Sequence, residues 1–240
     1  MCTLTFIARR QGYCLGMNRD EKVTRVEGHP PKAKSVSGRV VLCPSEPGGG
    51  TWIAVNDRGA TLALINWYSI PARVGLNSVS RGEVVNAVCA SNSPEHAQAM
   101  LAGLPLKRIN PFRLIGIYPG TGTVVEWRWD LRSLASKSLP WKTQQWISSG
   151  FDEPTAQQVR GKTFRRAQHQ RSANGLAWLR RLHRSHSPET GSFSTCMHRA
   201  DAATVSYTEV SVSSARAKMR YHLGPLCGKS VCSFHQLHLP

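Results

Sequence analysis

From the second residue onward apolar and polar side chains alternate. Cys2, Leu4 and Phe6 fall on one side of Cys2–Arg9, and Thr3, Thr5 and Ile7 on the other. A period of two predicts a strand. Gln11-Gly12 supplies a turn and Tyr13–Met17 reads as the returning strand of a hairpin. His29-Pro30-Pro31 and the Lys/Ser-rich stretch behind it read as loop, Arg39–Cys43 as a short strand, and Pro47-Gly48-Gly49-Gly50 as another loop. Thr51–Val55 and Ala60–Trp67 read as strands joined by Asn56-Asp57-Arg58-Gly59, where Gly59 can take positive φ.

Helical spacing then replaces alternation over Ser80–Ala90 and Pro94–Leu104, with Ser or Asn near each start. Arg113–Tyr118 and Thr123–Trp129 predict a hairpin around Gly120-Thr121-Gly122, and Gln144–Ser149 a short strand. Asp152 is placed to cap a helix with Pro154 in its first turn, and Gly175–His183 predicts a second. Strands return over Phe193–His198, Thr204–Val212 and Lys218–Leu223. The order strands, helices, strands, helices, strands predicts an α+β domain of layered antiparallel sheets. One such domain is expected over residues 1–224, with 225–240 as a flexible C-terminal tail.

Composition narrows the class. No apolar run approaches the ~18–20 residues of a membrane span, and the start lacks the basic and apolar regions of a secretory signal. Seven cysteines, an odd number without dense spacing, argue against a disulfide scaffold. They fit reduced thiols and a cytoplasmic location. The net charge of +17 is uneven: between Pro154 and Pro188 there is no Asp or Glu, and eight Lys or Arg lie between Arg160 and Arg184. This segment, 160–184, suits an anionic ligand or is simply the solvated face of a helix. No helix-turn-helix, zinc-finger or aromatic RNA-binding signature accompanies it, so nucleic acid is not the expected partner.

The candidate chemistry begins at Cys2. Removal of Met1 would leave a residue carrying both a thiol and a free α-amine. An α-amine with a pKa near ~7.7–8.0 stays partly neutral at physiological pH and acts as a built-in base for the thiol. Such a nucleophile needs only groups that fix the amine and steady an oxyanion. Asp20 is placed to accept from the ammonium and Arg19 to supply positive charge, because the hairpin brings the end of its second strand beside the start of its first. The plainer reading makes Cys2 a small apolar strand residue and Asn18-Arg19-Asp20-Glu21 a solvated loop. Elsewhere, Cys227-x₄-Cys232 with His235 and His238 reads as a frayed terminus and no metal is expected there. Gly48-Gly49-Gly50 lacks the Lys-Ser/Thr of a phosphate loop.

The combined pattern is more specific than its parts. M-C-T, a strand, a turn and L-G-M-N-R-D-E, then G-G-T-W-I-A-V-N-D-R-G (Gly49–Gly59), A-L-I-N (Ala63–Asn66), W-I-S-S-G-F-D-E (Trp146–Glu153) and C-M-H-R-A-D-A-A-T-V-S-Y-T-E-V (Cys196–Val210) resemble the NRDE family, also called transport and Golgi organisation protein 2-like. The resemblance implies a four-layer αββα sandwich of antiparallel sheets, as in the N-terminal nucleophile hydrolases. Bile-salt hydrolases and penicillin V acylases of that group cut amides through an N-terminal cysteine and carry G-R-N-x-D at the end of the second strand. Gly16, Asn18 and Asp20 match this segment, while its arginine falls on Met17. Arg19 is expected to replace it only if the strand bulges.

The same resemblance gives Asn66 an oxyanion role, at the end of an N-x₉-N spacing from Asn56. It sets Ser148-Ser149-Gly150 against a hydrolase asparagine, with Ser149 a shorter donor, and offers Arg199 as a late cationic residue near the nucleophile. The expectation is a cysteine-dependent hydrolase or acyltransferase acting without a cofactor on a small-molecule, non-peptide amide or thioester. The alternative is a non-catalytic lipid- or haem-binding or trafficking protein, since eukaryotic members are discussed in that connection.

Overall fold

The computed structural model describes residues 2–75, 77–229 and 231–240. Met1, whose removal the sequence reading anticipates, lies outside them. Among the described residues thirteen strands form two antiparallel sheets. The first contains β1 (Cys2–Ala8), β2 (Tyr13–Lys22), β10 (Gln144–Ser148), β11 (Ala202–Val212), β12 (Arg216–Leu223) and β13 (Val231–His238), in the order β10-β1-β2-β11-β12-β13. The second runs β3-β4-β5-β6-β7-β8-β9 in chain order: His29–Val36, Arg39–Ser45, Ile53–Asn56, Thr61–Asn66, Phe112–Tyr118, Thr123–Trp129 and Leu134–Leu139.

Three apolar clusters explain the layering. Leu4, Phe6, Leu15 and Met17 from the first sheet meet Ile53, Val55, Ala63 and Ile65 from the second. The opposite face of the second sheet (Leu62, Leu64, Leu114, Trp127) is covered by α1 (Gly82–Val88) and α2 (Pro94–Ala102) through Val84, Val85, Ala97 and Leu101. Ile7 and Cys14 on the outer face of the first sheet are covered by α3 (Glu153–Gln168) and α4 (Leu176–His183) through Phe164, Trp178, Leu179 and Leu182. The central strands are buried on both faces, and each face finds its own partner. The result is the αββα sandwich. No helix among the described residues is long and apolar enough to cross a membrane.

Local signals place the elements. Gly59 takes φ +71° and its amide closes the β5–β6 turn onto Asn56 O at 2.9 Å. Asp152 caps α3, accepting from the Thr155 amide at 3.0 Å. Three expectations are corrected. The His29-Pro30-Pro31 stretch is strand β3, an edge position where prolines need not donate to a neighbour. Residues 225–240 include β13, paired with β12 from Leu223↔Val231 to Arg216↔His238. Phe193–His198 is not a strand; it is a loop whose Ser194, Thr195 and Cys196 have no exposure, held by bonds such as Cys196 N to Ser185 O at 3.0 Å.

Candidate active site

The β1–β2 ladder is regular, with Leu4 opposite Met17 and Cys2 opposite Arg19. Arg19 stands two residues beyond Met17, so both point to the same face as Cys2 and no bulge in β2 is required. This corrects the expectation that Arg19 would need one. A register shift does occur, but in the neighbouring strand, between Thr204 and Ser206 of β11, opposite Asp20 and Arg19.

At this end of the sandwich the two sheets and the approach to α1 enclose a cavity of about 190 Å³. Cys2, Arg19 and Asp20 line it from the first sheet, Asn66 from the end of β6, and Arg81 from the start of α1. Ser148 lies opposite Cys2 in the β1–β10 ladder, and its Oγ accepts from Cys2 N at 3.1 Å. Burial pushes the Cys2 thiol above its ordinary pKa; the Asp20 carboxylate adds to the rise and the Arg19 guanidinium opposes it.

The charges around the cavity are organised in two tiers. Arg19 Nη2 bonds Glu46 Oε1 at 2.6 Å, and its guanidinium lies 4.6 Å from the centre of the Trp52 ring. Arg25 bridges Glu46 at 2.7 Å and Glu21 at 3.1 Å. Behind this wall, Asp20 Oδ2 accepts from Arg160 Nη1 at 3.1 Å, and Asp20 Oδ1 accepts from Thr204 Oγ1 at 2.7 Å. Arg160 also reaches Thr3 Oγ1 at 2.8 Å and Ser192 O at 3.2 Å. Arg81 donates to Pro111 O at 3.3 Å and makes no ion pair among the described residues.

A family profile described as Transport and Golgi organisation 2 matches residues 1–125. The chain belongs to this family. Among solved structures it is similar to penicillin V acylase from Agrobacterium tumefaciens, at 12% identity and a TM-score of 0.61, over 98% of this chain and 85% of that one. It is also similar to a mutant conjugated bile acid hydrolase from Clostridium perfringens, at 10% identity and a TM-score of 0.51, over 97% and 96% of the two chains. These likenesses establish the N-terminal nucleophile hydrolase fold. Comparison with curated proteins gives no match.

In this Transport and Golgi organisation 2 chain the segment Asn18-Arg19-Asp20-Glu21 is divided by the pleat of β2. Asn18 turns toward the helix layer, donating to His183 O at 2.9 Å and Thr195 O at 2.8 Å. Its Oδ1 lies 3.0 Å from His183 Nδ1, and His183 Nε2 lies 3.0 Å from Thr5 Oγ1. Arg19 and Glu21 face the cavity wall. The segment is buried as far as Asp20, so the solvated-loop reading is set aside.

The structure therefore brings Cys2, Arg19, Asp20 and Asn66 to one cavity. It does not bring Arg199, which pairs with Asp201 at 2.7 Å and covers the Phe151 ring at 4.4 Å. Asn56 is a turn residue, donating to Cys89 O and Ser91 O and accepting from the Arg58 and Ala60 amides. Ser148, not Ser149, is the serine bonded to Cys2; Ser149 Oγ accepts from the Phe151 amide at 3.3 Å. Two residues escaped the sequence reading. Arg160 belongs to the basic segment expected to meet an anionic ligand or to form a solvated helix face, yet it is fully buried within the stripe Ala156, Arg160, Phe164. That i, i+4, i+8 spacing was the available signal. Arg81 had none beyond its position before α1.

Proposed function

We propose that this chain is an N-terminal cysteine hydrolase or acyltransferase acting on a small non-peptide amide or thioester once Met1 has been removed. The observation that carries the reading is the placement of Cys2 in the wall of a polar cavity with its nitrogen 3.1 Å from Ser148 Oγ. Burial keeps the thiol protonated at rest, so attack requires a base close to sulfur. The freed α-amine of Cys2 is that base. It takes the Sγ proton as sulfur attacks the substrate carbonyl, and the proton then passes to the departing amine or thiol as the tetrahedral intermediate collapses. The acyl group remains on Sγ as a thioester until water or another acceptor removes it.

Asn66 Nδ2 is the candidate oxyanion donor, resting on Tyr68 Oη at 2.8 Å. A donor of this kind contributes ~2.7–4 kcal/mol to transition-state stabilisation. Asp20, fixed by Arg160 and Thr204, positions the amine. Arg81 offers a counter-charge to an anionic group on the substrate; burial lowers its pKa, but a guanidinium stays charged from that starting point. A volume of about 190 Å³ suits a short acyl group.

Intact-mass measurement should find the chain without Met1, and an acylating thiol probe should label Cys2 ahead of the other six cysteines. Retained Met1 or indiscriminate labelling removes the proposal. Haemin titration of wild type and Cys2→Ala separates the carrier alternative: binding indifferent to Cys2, without acyl turnover, favours that reading.

A further inference from the structure

Outside the cavity, four side chains converge from three separate segments. His186 lies after α4, Cys196 and His198 lie in the buried loop before β11, and Cys227 lies in the turn between β12 and β13. Their ligand atoms all fall within 4.8 Å of one another. Cys196 Sγ is 3.4 Å from Cys227 Sγ and 3.6 Å from His198 Nε2, and His198 Nε2 is 3.3 Å from Cys227 Sγ. The His186 and His198 rings meet edge to face with centroids 5.1 Å apart, and the buried His186 Nε2 has no hydrogen-bond partner.

We infer that His186, Cys196, His198 and Cys227 form a Cys₂His₂ site for a structural zinc ion. Zinc takes thiolate at about 2.3 Å and imidazole at about 2.0–2.1 Å in tetrahedral geometry. Those bond lengths place neighbouring ligand atoms roughly 3.3–3.8 Å apart, a range that contains the three separations of 3.3, 3.4 and 3.6 Å. Two soft sulfurs with two imidazoles select zinc over magnesium or calcium, which prefer oxygen. The balance is simple: one Zn²⁺ enters, two thiol protons leave, and the four-ligand site is neutral. The unpartnered His186 nitrogen gains the acceptor role it lacks. Cys227, exposed in its turn, gives the ion a way in.

The site would clip the 184–199 loop to the β12–β13 turn. That loop supports Asp20 from behind. Ser192 O accepts from Arg160, while the Met197 amide bonds Thr204 Oγ1 at 2.9 Å and Thr204 Oγ1 bonds Asp20. The inference does not depend on Cys2 being a nucleophile. The terminal Cys227-x₄-Cys232, His235 and His238 grouping, where no metal is expected from the sequence, shares only Cys227 with it; Cys232 lies on β13 and is not part of the cluster.

The full chain, reduced and freed of metal, should take up one equivalent of Zn²⁺ and retain it through dialysis. Co²⁺ should give the visible d–d bands of a tetrahedral ion and a thiolate charge-transfer band. Cys227→Ser should weaken binding at least tenfold and reduce the charge-transfer band, and His186→Ala should weaken binding comparably, while Cys232→Ser changes neither. Because Cys227 sits in an exposed turn, its variant remains informative should Cys196→Ser fail to fold. Reduced, folded wild type that takes up no zinc overturns the inference, whether or not Cys196 and Cys227 cross-link on oxidation. So does a cobalt spectrum that survives Cys227→Ser or is lost in Cys232→Ser.

Discussion

Asp20 and Arg160 form an ion pair at 3.1 Å in which neither side chain has any solvent exposure. Arg160 Nη1 also bonds Thr3 Oγ1, so one guanidinium from α3 ties β1 and β2 together beside the candidate nucleophile. Two charges withdrawn from water are stabilised only when their remaining donors and acceptors are satisfied. Thr204 and Ser192 supply additional bonds, while the buried Arg160 Nε has no hydrogen-bond partner.

Removing one partner leaves the other charge buried and alone. Arg160→Met should therefore cost about 3–5 kcal/mol of stability, measured by urea unfolding. Asp20→Asn should cost a comparable amount, and the double variant should cost less than the sum. Additive losses would mean that the two groups do not act as a pair.

His183 carries a pH signature. Burial, reinforced by the Arg160 charge, lowers its pKa to about 3, and it is neutral in the Asn18–His183–Thr5 network. Unfolded histidine titrates near ~6.5, so between these values the unfolded chain binds one more proton than the folded one. Stability supplied by neutral His183 is thus complete above about pH 6.5 and is lost as pH falls toward 3. The slope from this group approaches ~1.4 kcal/mol per pH unit. In His183→Gln the pH dependence of unfolding free energy should flatten by up to that amount; an unchanged slope would remove the assignment.

Burial decides how legible the fold was: β10 is a sheet edge too, yet its Trp146–Ser148 end is buried and its strand is expected from the sequence. β1, β4, β5, β6, β7, β8 and β11 carry apolar faces that alternation or continuous burial reveals. β3, β9 and β13 are all sheet edges, and their residues are mostly exposed, so their sequences look like loop or tail. Alternation in Phe193–His198 misled in the other direction, since this loop is buried through bonds to Asn18 of β2 and Thr204 of β11 without forming a strand. At the site, Cys2 was legible as the start of a predicted strand, Arg19 and Asp20 as the residues leaving its hairpin partner, and Asn66 through the family resemblance. Arg160 was obscured by seven neighbouring cations that are not fully buried.

Gly82 opens α1 where the helix nearly touches the 50–52 segment. A Cβ there would lie 2.8 Å from Gly50 Cα and 2.9 Å from Thr51 N, both backbone atoms. Helix propensity alone makes Gly→Ala favourable by up to about 1 kcal/mol. The clash should outweigh it, because overpacking costs ~1–3 kcal/mol when backbone must move. Gly82→Ala should lower the thermal midpoint, and because Gly82 and Thr51 both line the cavity, it should also raise KM.

Asn66 and Tyr68 share one hydrogen bond at 2.8 Å, which engages one of the two N–H donors of Nδ2. During acyl transfer the second N–H of Nδ2 is the one offered to the oxyanion, with the Tyr68 bond holding the amide in place. Asn66→Ala should lower kcat about 10²–10³-fold with little change in KM. Tyr68→Phe should leave kcat within a few-fold, since it removes the resting acceptor and not the donor. Equal losses in the two variants would assign Asn66 to cavity structure alone.

Arg81 separates substrate binding from chemistry. Its guanidinium lines the cavity without an ion-paired carboxylate among the described residues, whereas Arg19 is engaged by Glu46. An anionic substituent on the substrate therefore finds Arg81 free to pair, and a charge-assisted bond of that kind contributes ~1.5–3 kcal/mol. Arg81→Met should raise KM for carboxylate-bearing acyl substrates about 10–150-fold and leave neutral analogues nearly unchanged, with kcat preserved for both. A loss of kcat shared by charged and neutral substrates would instead place Arg81 in the catalytic step, and an unchanged KM would mean that anionic groups bind elsewhere.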